Sequence, residues 1–159
     1  MSKLTHLDDK GAARMVDISG KAATARIAIA EGFISMSADA LRAVRGASAA
    51  KGDVIAVARI AAIQAAKRTA DLIPLCHPLP LSSITVDFAL EADGVRITAS
   101  AATSWGTGVE MEAMTAVGVG LLTIYDMVKA VDKAMVIRDI RLLEKHGGKS
   151  GSWTRPDAC

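Results

Sequence analysis

The sequence predicts an α+β domain in which two long helices cover one face of an antiparallel sheet, the ferredoxin-like arrangement. Two apolar segments of helical length lie among four segments in which hydrophobicity alternates at every second residue. In chain order the long segments give βαββαβ, with an extra short helix after the first strand. The chain has 159 residues, so we predict one domain over 1–159, with flexible ends at 1–14 and 150–159.

The first strand and a short helix open the regular structure. Within 24–34, larger apolar side chains alternate with a second set made mostly of alanine, which indicates a strand. Ser37 is a suitable N-cap for the short helix, and Gly46 marks its end.

The first long helix begins after Asp53, another suitable N-cap, and extends to about Thr69. Apolar residues surround nearly its whole circumference, so we expect it to be buried on more than one side and the sandwich to oligomerise. The segment 74–80 contains three prolines and therefore forms a stiff loop rather than a helix or a central strand.

The remaining elements are a hairpin, a second long helix and a final strand. Residues 86–90 and 95–97 alternate in hydrophobicity around an Ala-Asp-Gly turn, which is typical of a β-hairpin. A second long apolar helix covers about 110–130. The last strand covers 135–143 and is followed by a basic tail rich in glycine.

Composition excludes several classes of protein. A net charge of +2 and 3% aromatic residues disfavour a non-specific nucleic-acid binder, which needs a larger cationic excess and stacking platforms. Cys76 and Cys159 cannot make a disulfide framework. Residues 1–10 lack the apolar stretch of a signal peptide, and the uncharged run 113–125 is shorter than the roughly 20 residues of a membrane span. We therefore expect a soluble, cytoplasmic protein that binds neither nucleic acid nor membrane.

The Cys76-His77 pair lies between prolines and is presented by a rigid loop. A zinc site is disfavoured because the sequence has neither a second cysteine nor a second histidine at ligand spacing. Two interpretations stay open: His77 hydrogen-bonds a backbone carbonyl in a structural loop, or it binds an anion such as phosphate.

The stretch 107–113 carries glycine and two carboxylates at the start of the second long helix. Backbone N–H groups at such a helix start can bind an anion or a carbonyl. Glu110 and Glu112 can simply complement the helix dipole, but that role explains one carboxylate better than two. The alternative is a carboxylate that accepts paired N–H bonds from a guanine-like edge.

Two lysines stand beside acidic groups or helix ends. Asp126 and Lys129 are three residues apart on one helical face, which suits an isolated ion pair. Lys51 precedes the N-terminus of the first long helix, where the positive dipole and other cations would lower its pKa towards neutrality. The alternative for Lys51 is a solvated side chain.

The tail 145–151 ends like a phosphate-binding P-loop, with Gly148-Lys149-Ser150. We reject a P-loop because the earlier glycine that it requires would fall on Leu143, and no helix follows. A basic tail that closes over phosphates remains.

Helix geometry separates two of the acidic candidates. Glu112 and Asp126 are 14 residues apart, which is about 21 Å along one straight helix. If both contact one small ligand, the second must come from a neighbouring subunit. Otherwise only one of them is functional.

Taken together, these segments resemble the molybdenum cofactor biosynthesis protein C family, the cyclic pyranopterin monophosphate synthases, over almost the whole chain. The stretches that carry the resemblance are Met15-Val16-Asp17-Ile18-Ser19, Lys51-Gly52-Asp53-Val54, Ala66-Lys67-Arg68-Thr69, Asp71-Leu72-Ile73-Pro74-Leu75-Cys76-His77-Pro78-Leu79, Thr107-Gly108-Val109-Glu110-Met111-Glu112-Ala113, Leu122-Thr123-Ile124-Tyr125-Asp126-Met127 and Lys129-Ala130. Matches of this length in register are specific.

The resemblance implies a homohexamer, a trimer of dimers, with active sites at a subunit interface. It implies the conversion of 3′,8-cyclo-7,8-dihydro-GTP to cyclic pyranopterin monophosphate with release of pyrophosphate. The sequence itself requires no cofactor, although Mg²⁺ can accompany the substrate phosphates.

The resemblance also suggests roles for individual residues. Lys51 and Lys129 would transfer protons, with Asp126 beside them, and the assignment of acid and base stays open. The residues that would bind the substrate are Arg26, Leu75, Cys76, His77, Glu110, Met111, Glu112, Lys145 and Lys149. Where the family often carries a lysine just before Thr-Gly-Val-Glu, this chain has Trp105-Gly106, so no role is assigned there.

Two other classes of protein stay open. A nucleotide-binding module without catalysis would use the same cationic residues, and a purely structural oligomer subunit would leave Cys76-His77 and the tail unexplained. Release of pyrophosphate from the cyclic GTP derivative would distinguish the enzyme from the binding module.

Overall fold

The computed structural model describes residues 8, 10–46 and 52–156. Within this part the chain forms one five-stranded antiparallel sheet with its long helices on one face. The elements are β1 (Thr24–Ser35), α1 (Ala38–Arg45), α2 (Val54–Lys67), α3 (Thr69–Leu72), β2 (Ser83–Leu90), β3 (Gly94–Trp105), α4 (Glu110–Val128), β4 (Val136–His146) and β5 (Trp153–Thr154). Lys51, Cys159 and parts of both ends that we expected to be flexible (1–7, 9 and 157–159) lie outside the described residues.

The predicted α+β class with an antiparallel sheet is confirmed. The strand order is β2-β3-β1-β4-β5, and the first four strands with α2 and α4 are compatible with the ferredoxin-like arrangement. β1 lies at the centre, between β3 and β4. Because α4 connects β3 to β4 across β1, its N-terminus lies near the start of β1 and the end of β4.

Local capping explains where two of the helices begin. The Ser37 hydroxyl accepts a hydrogen bond from the Ala40 amide at 3.3 Å, and the Asp53 carboxylate accepts one from the Ala56 amide at 3.0 Å. Each cap satisfies an amide that has no partner within its helix. Both predicted caps are confirmed, as is Gly46 at the end of α1.

The core contains many alanines beside its larger side chains, and they let α2 and α4 approach each other and the sheet closely. A Cβ atom at Gly120 of α4 would lie 2.9 Å from Ile97 Cδ1 in β3 and 3.4 Å from Ala62 Cβ in α2. This close approach leaves no room for a larger side chain at position 120.

Several element boundaries differ from the sequence prediction, and one element was not predicted. α2 ends at Lys67 rather than at Thr69, because the buried Thr69 hydroxyl donates to the last carbonyls of α2 and a separate α3 begins there. α4 ends at Val128 rather than at 130. β5, inside the stretch 150–159, was not predicted, since its two residues are ordered by pairing with β4.

The side of β1 that faces the helices carries Ala28, Ala30 and Ile34, while Ile27 points to the other face. Ala28 is fully buried beneath the helices, whereas Ile27 is 43% exposed on the other face of the sheet. Likewise, Val57 and Ile60 of α2 are 44% and 59% exposed. The expectation that α2 is buried on more than one side is therefore not met within one chain.

Among the described residues, α4 is the one helix that is long and apolar enough to span a membrane. Half of it is buried, and its buried residues pack against the sheet and α2. This is the environment of a core helix.

Candidate functional site

A cavity of about 240 Å³ lies where the proline-rich loop meets the start of α4. The loop contributes Leu75, Cys76 and His77, and the helix start contributes Glu110, Met111 and Glu112. The structure thus brings together two predicted groups of residues that are more than 30 positions apart in the chain. A third wall comes from the segment before β1.

The segment before β1 is held over the cavity by His77. The Nε2 atom of His77 lies 2.7 Å from the Val16 carbonyl oxygen. Because a carbonyl oxygen only accepts, Nε2 must carry the hydrogen in this contact. Of the two roles considered for His77, the hydrogen bond to a backbone carbonyl is therefore present. His77 also lines the cavity.

Glu112 is the buried acid of the site. It is 4% exposed, and burial raises its pKa from 4.5 to about 7, with a smaller contribution from Glu110. Burial also raises the pKa of the Cys76 thiol, and the carboxylate of Glu112 raises it further. Near neutral pH, Glu112 can either accept a hydrogen bond as a carboxylate or donate one as an acid. Complementing the helix dipole does not account for a carboxyl group in this state, since the dipole would lower its pKa.

A cationic depression adjoins this cavity. It has a volume of about 800 Å³ and is lined by Lys21, Arg26 and Lys149. Lys21 also lines the cavity of Glu112, so the acidic and cationic regions adjoin at this residue. A smaller cleft brings Arg26 together with Lys145 and Glu110. The structure therefore gathers three of the predicted basic residues, Arg26, Lys145 and Lys149, on the same side of the site.

Lys21 was missed by the sequence analysis. It follows the Met15–Ser19 stretch by two residues, and that proximity is the signal that could have identified it. Its place in the site depends on the segment before β1 folding back over the proline-rich loop. No local pattern predicts such a contact.

The tail after β4 folds back on the sheet edge instead of continuing away from it. The Arg155 amide donates to the Leu143 carbonyl at 2.7 Å, and Trp153 pairs with Lys145. The Lys145 ammonium also donates to the Ser150 hydroxyl. These contacts hold the glycine-rich turn and Lys149 beside Arg26.

Asp126 and Lys129 lie at the other end of α4. Lys129 Nζ is 2.7 Å from Asp126 Oδ1, and both side chains are about half exposed. The hydrogen bond to Asp126 raises the pKa of Lys129 above its ordinary value, which favours the protonated form. Since α4 is unbroken, about 21 Å of helix separates Glu112 from Asp126. Within one chain these two groups do not share a pocket, and Lys51 lies outside the described residues.

No cluster of three or more His, Cys, Asp or Glu side chains that could hold a metal ion occurs in the described part of the chain. The donors that the site offers are cations, carboxyl groups and backbone amides, which suit a charged organic ligand.

Comparison with known proteins gives a consistent result. The model of the MoaC family matches residues 15–148. A cyclic pyranopterin monophosphate synthase of Novosphingobium aromaticivorans is 62% identical over 153 residues, covering 96% of this chain and 98% of that protein. Proteins of the same name from Corynebacterium glutamicum and Dinoroseobacter shibae are 59% and 60% identical, over 97% and 95% of this chain and 99% and 97% of theirs.

Proposed function

Because the chain belongs to the MoaC family, we propose that it catalyses the reaction for which its relatives are named, the synthesis of cyclic pyranopterin monophosphate. It is an enzyme of molybdenum cofactor biosynthesis. It converts 3′,8-cyclo-7,8-dihydro-GTP to cyclic pyranopterin monophosphate and releases pyrophosphate. The observation that carries this proposal is that a cavity with a buried carboxyl group and a depression lined by cations adjoin at Lys21.

The two adjoining regions match the two ends of this substrate. The guanine-derived ring presents N–H donors, and Glu112 at the base of the cavity accepts them in its ionised form. The triphosphate carries several negative charges, and Lys21, Arg26 and Lys149 neutralise them in the depression. Lys145 and His77 lie beside this path. The binding energy of the phosphates would then hold the ring at Glu112.

In this proposal one of the two catalytic lysines, Lys129, comes from a neighbouring subunit. Lys129 is too far along α4 to reach the cavity of its own chain, so a second copy must supply it. Exposed apolar side chains on α2 and α4, including Ile60 and Leu122 at 59% exposure each, give such a copy a surface to cover. We propose ferredoxin-like subunits in a homohexamer, a trimer of dimers, with each site at an interface.

Proton transfer is divided between the two lysines. Ring opening, ring closure and formation of the cyclic phosphate all require protons to move, and an attacking oxygen must lose one as pyrophosphate leaves. Asp126 keeps Lys129 protonated, so we assign Lys129 as the acid. Lys51, to which the resemblance gives a role in proton transfer, is assigned as the base.

The remaining expectations follow from this activity. A cytoplasmic enzyme of small-molecule metabolism needs neither nucleic acid nor a membrane as partner. Mg²⁺ bound to the triphosphate would arrive with the substrate, because the proposed phosphate ligands are cationic side chains.

Release of pyrophosphate from purified protein and 3′,8-cyclo-7,8-dihydro-GTP tests the function. We expect turnover, and binding without any pyrophosphate release would instead indicate the non-catalytic nucleotide-binding module.

Mixing two inactive variants tests the shared site. We expect Lys129→Ala and Glu112→Gln to regain activity when they are unfolded together and reassembled, because some interfaces then combine an intact Glu112 with an intact Lys129. No recovery, with oligomers of normal size, would contradict a site built from two subunits.

A further inference from the structure

The guanidinium group of Arg26 is held in one orientation by two segments that are distant in sequence. Its Nε atom donates to the Trp105 carbonyl oxygen at 2.8 Å, which fixes the plane of the group. Within the described residues, Trp105 is its one recorded hydrogen-bond partner, and the terminal amino groups remain available for a ligand. Arg26 is half-buried and lines both the cleft and the cationic depression.

This guanidinium also lies close to the backbone of Gly148. A Cβ atom built on Gly148 would fall 2.9 Å from Arg26 Cζ and closer still to Nη1. No carbon can approach so closely, so any side chain at 148 must displace the guanidinium. Arg26 is the flexible partner in this contact, and its displacement requires no movement of a strand.

The neighbouring glycines have different roles. Gly147 (φ +90°) lies against the Ala25 carbonyl group of β1, so a side chain there would collide with the backbone of the sheet. Gly151 (φ +65°) has a conformation similar to that of Gly148 (φ +73°), but a Cβ atom there would meet nothing within 4 Å. A side chain at Gly148 or at Gly151 would strain the backbone to a similar degree. The two positions differ because a side chain at Gly148 would also collide with Arg26.

We propose that Gly148 is a positioning residue, whose missing side chain leaves the space in which the Arg26 guanidinium is seated for binding the substrate phosphates. The proposal rests on the proposed function, which places the triphosphate in the depression. A guanidinium already fixed by Trp105 and Gly148 loses little conformational freedom when a phosphate binds, so more of the interaction appears as affinity. Gly148 acts only through Arg26 and itself touches no substrate.

The test compares Gly148→Ala with Gly151→Ala, in the full-length protein in its natural assembly. Binding of pyrophosphate is measured by calorimetry, alongside kcat and KM for the cyclic GTP derivative and the melting temperature. We expect Gly148→Ala to weaken pyrophosphate binding roughly tenfold more than Gly151→Ala does, since it misplaces one charge-assisted contact. KM should rise more than kcat falls. Equal effects of the two substitutions would overturn the proposal.

A double-mutant cycle separates positioning from general damage to the tail. In the Arg26→Ala background, adding Gly148→Ala should weaken pyrophosphate binding no more than adding Gly151→Ala does, because the shared backbone strain remains but no guanidinium is left to be displaced. A larger loss than that of Gly151→Ala in this background would mean that Gly148 supports the tail itself, and the proposal would be wrong. Failure of the proposed function gives a different result, namely no pyrophosphate release by the unsubstituted protein.

Discussion

The two ends of α4 carry acidic groups in opposite environments. At the N-terminal end, Glu112 is buried beside a cavity lined by its own chain, and its pKa is raised to about 7. At the C-terminal end, Asp126 is about half exposed and pairs with Lys129, whose pKa it raises. One end lines a cavity of its own chain, whereas the other presents an ion pair on the surface. In the proposed oligomer, one subunit would supply Glu112 and a neighbouring subunit would supply Lys129.

The largest expected effect concerns the exposed end. Lys129→Ala should lower kcat by at least about a hundredfold, because a positioned proton donor contributes roughly 10²- to 10⁴-fold. Its melting temperature should stay near that of the unsubstituted protein, since the side chain is about half exposed. Lys133→Ala, an exposed lysine four residues further on, is the matched control and should retain activity. Full activity of Lys129→Ala would remove this end of α4 from the site.

The burial of Glu112 should be detectable in the pH dependence of stability. Between pH 4.5 and about 7 the folded chain holds a proton on Glu112 that the unfolded chain has lost. The free energy of unfolding should therefore fall as pH rises through this window, by on the order of 3 kcal/mol from this group. Glu112→Gln should remove that part of the slope.

Urea unfolding at a series of pH values measures this slope. Glu110→Gln, a less buried carboxylate two residues earlier, is the matched control and should keep most of the wild-type pH dependence. An unchanged slope in Glu112→Gln would show that the carboxyl group is not buried as described.

In the middle of α4, an added methyl group should destabilise the fold on one side of the helix and be tolerated on the other. Gly120→Ala should destabilise the fold by about 1–3 kcal/mol, because its Cβ atom would meet Ile97 and Ala62. Gly118→Ala, whose Cβ atom would lie 3.9 Å from Ile140, should instead stabilise the helix by about 0.5–1 kcal/mol. Equilibrium unfolding in denaturant measures both changes, and equal effects would contradict the packing of α4.

The smallest expected change in stability comes from Asp126→Asn. Breaking an exposed ion pair should barely alter the melting temperature. The pKa of Lys129 should fall towards its ordinary value, so the alkaline limb of the kcat profile should move to lower pH. If the alkaline limb does not move, Lys129 is not the group whose ionisation sets the pH dependence of kcat.

Much of the fold was predictable from local patterns, but the way in which distant segments assemble the site was not. Short-range signals indicated the capped starts of α1 and α2, the proline-rich loop and the β2–β3 hairpin, each readable from a few adjacent residues. The resemblance named residues that line the cavity, but it left out Lys21. The sequence also left open which side of β1 faces the helices, since alanine and isoleucine are both apolar.

By itself, the sequence determined the order of the elements, their caps, the rigid loop and the family, because these depend on residues close together in the chain or on long matches in register. Only the tertiary structure decided that Glu112 is buried enough to titrate near neutrality, and that the acidic cavity and the cationic depression adjoin at Lys21. The same holds for Arg26, which is seated between Trp105 and Gly148. Burial and close approach depend on which segments pack together, and no local pattern contains that information.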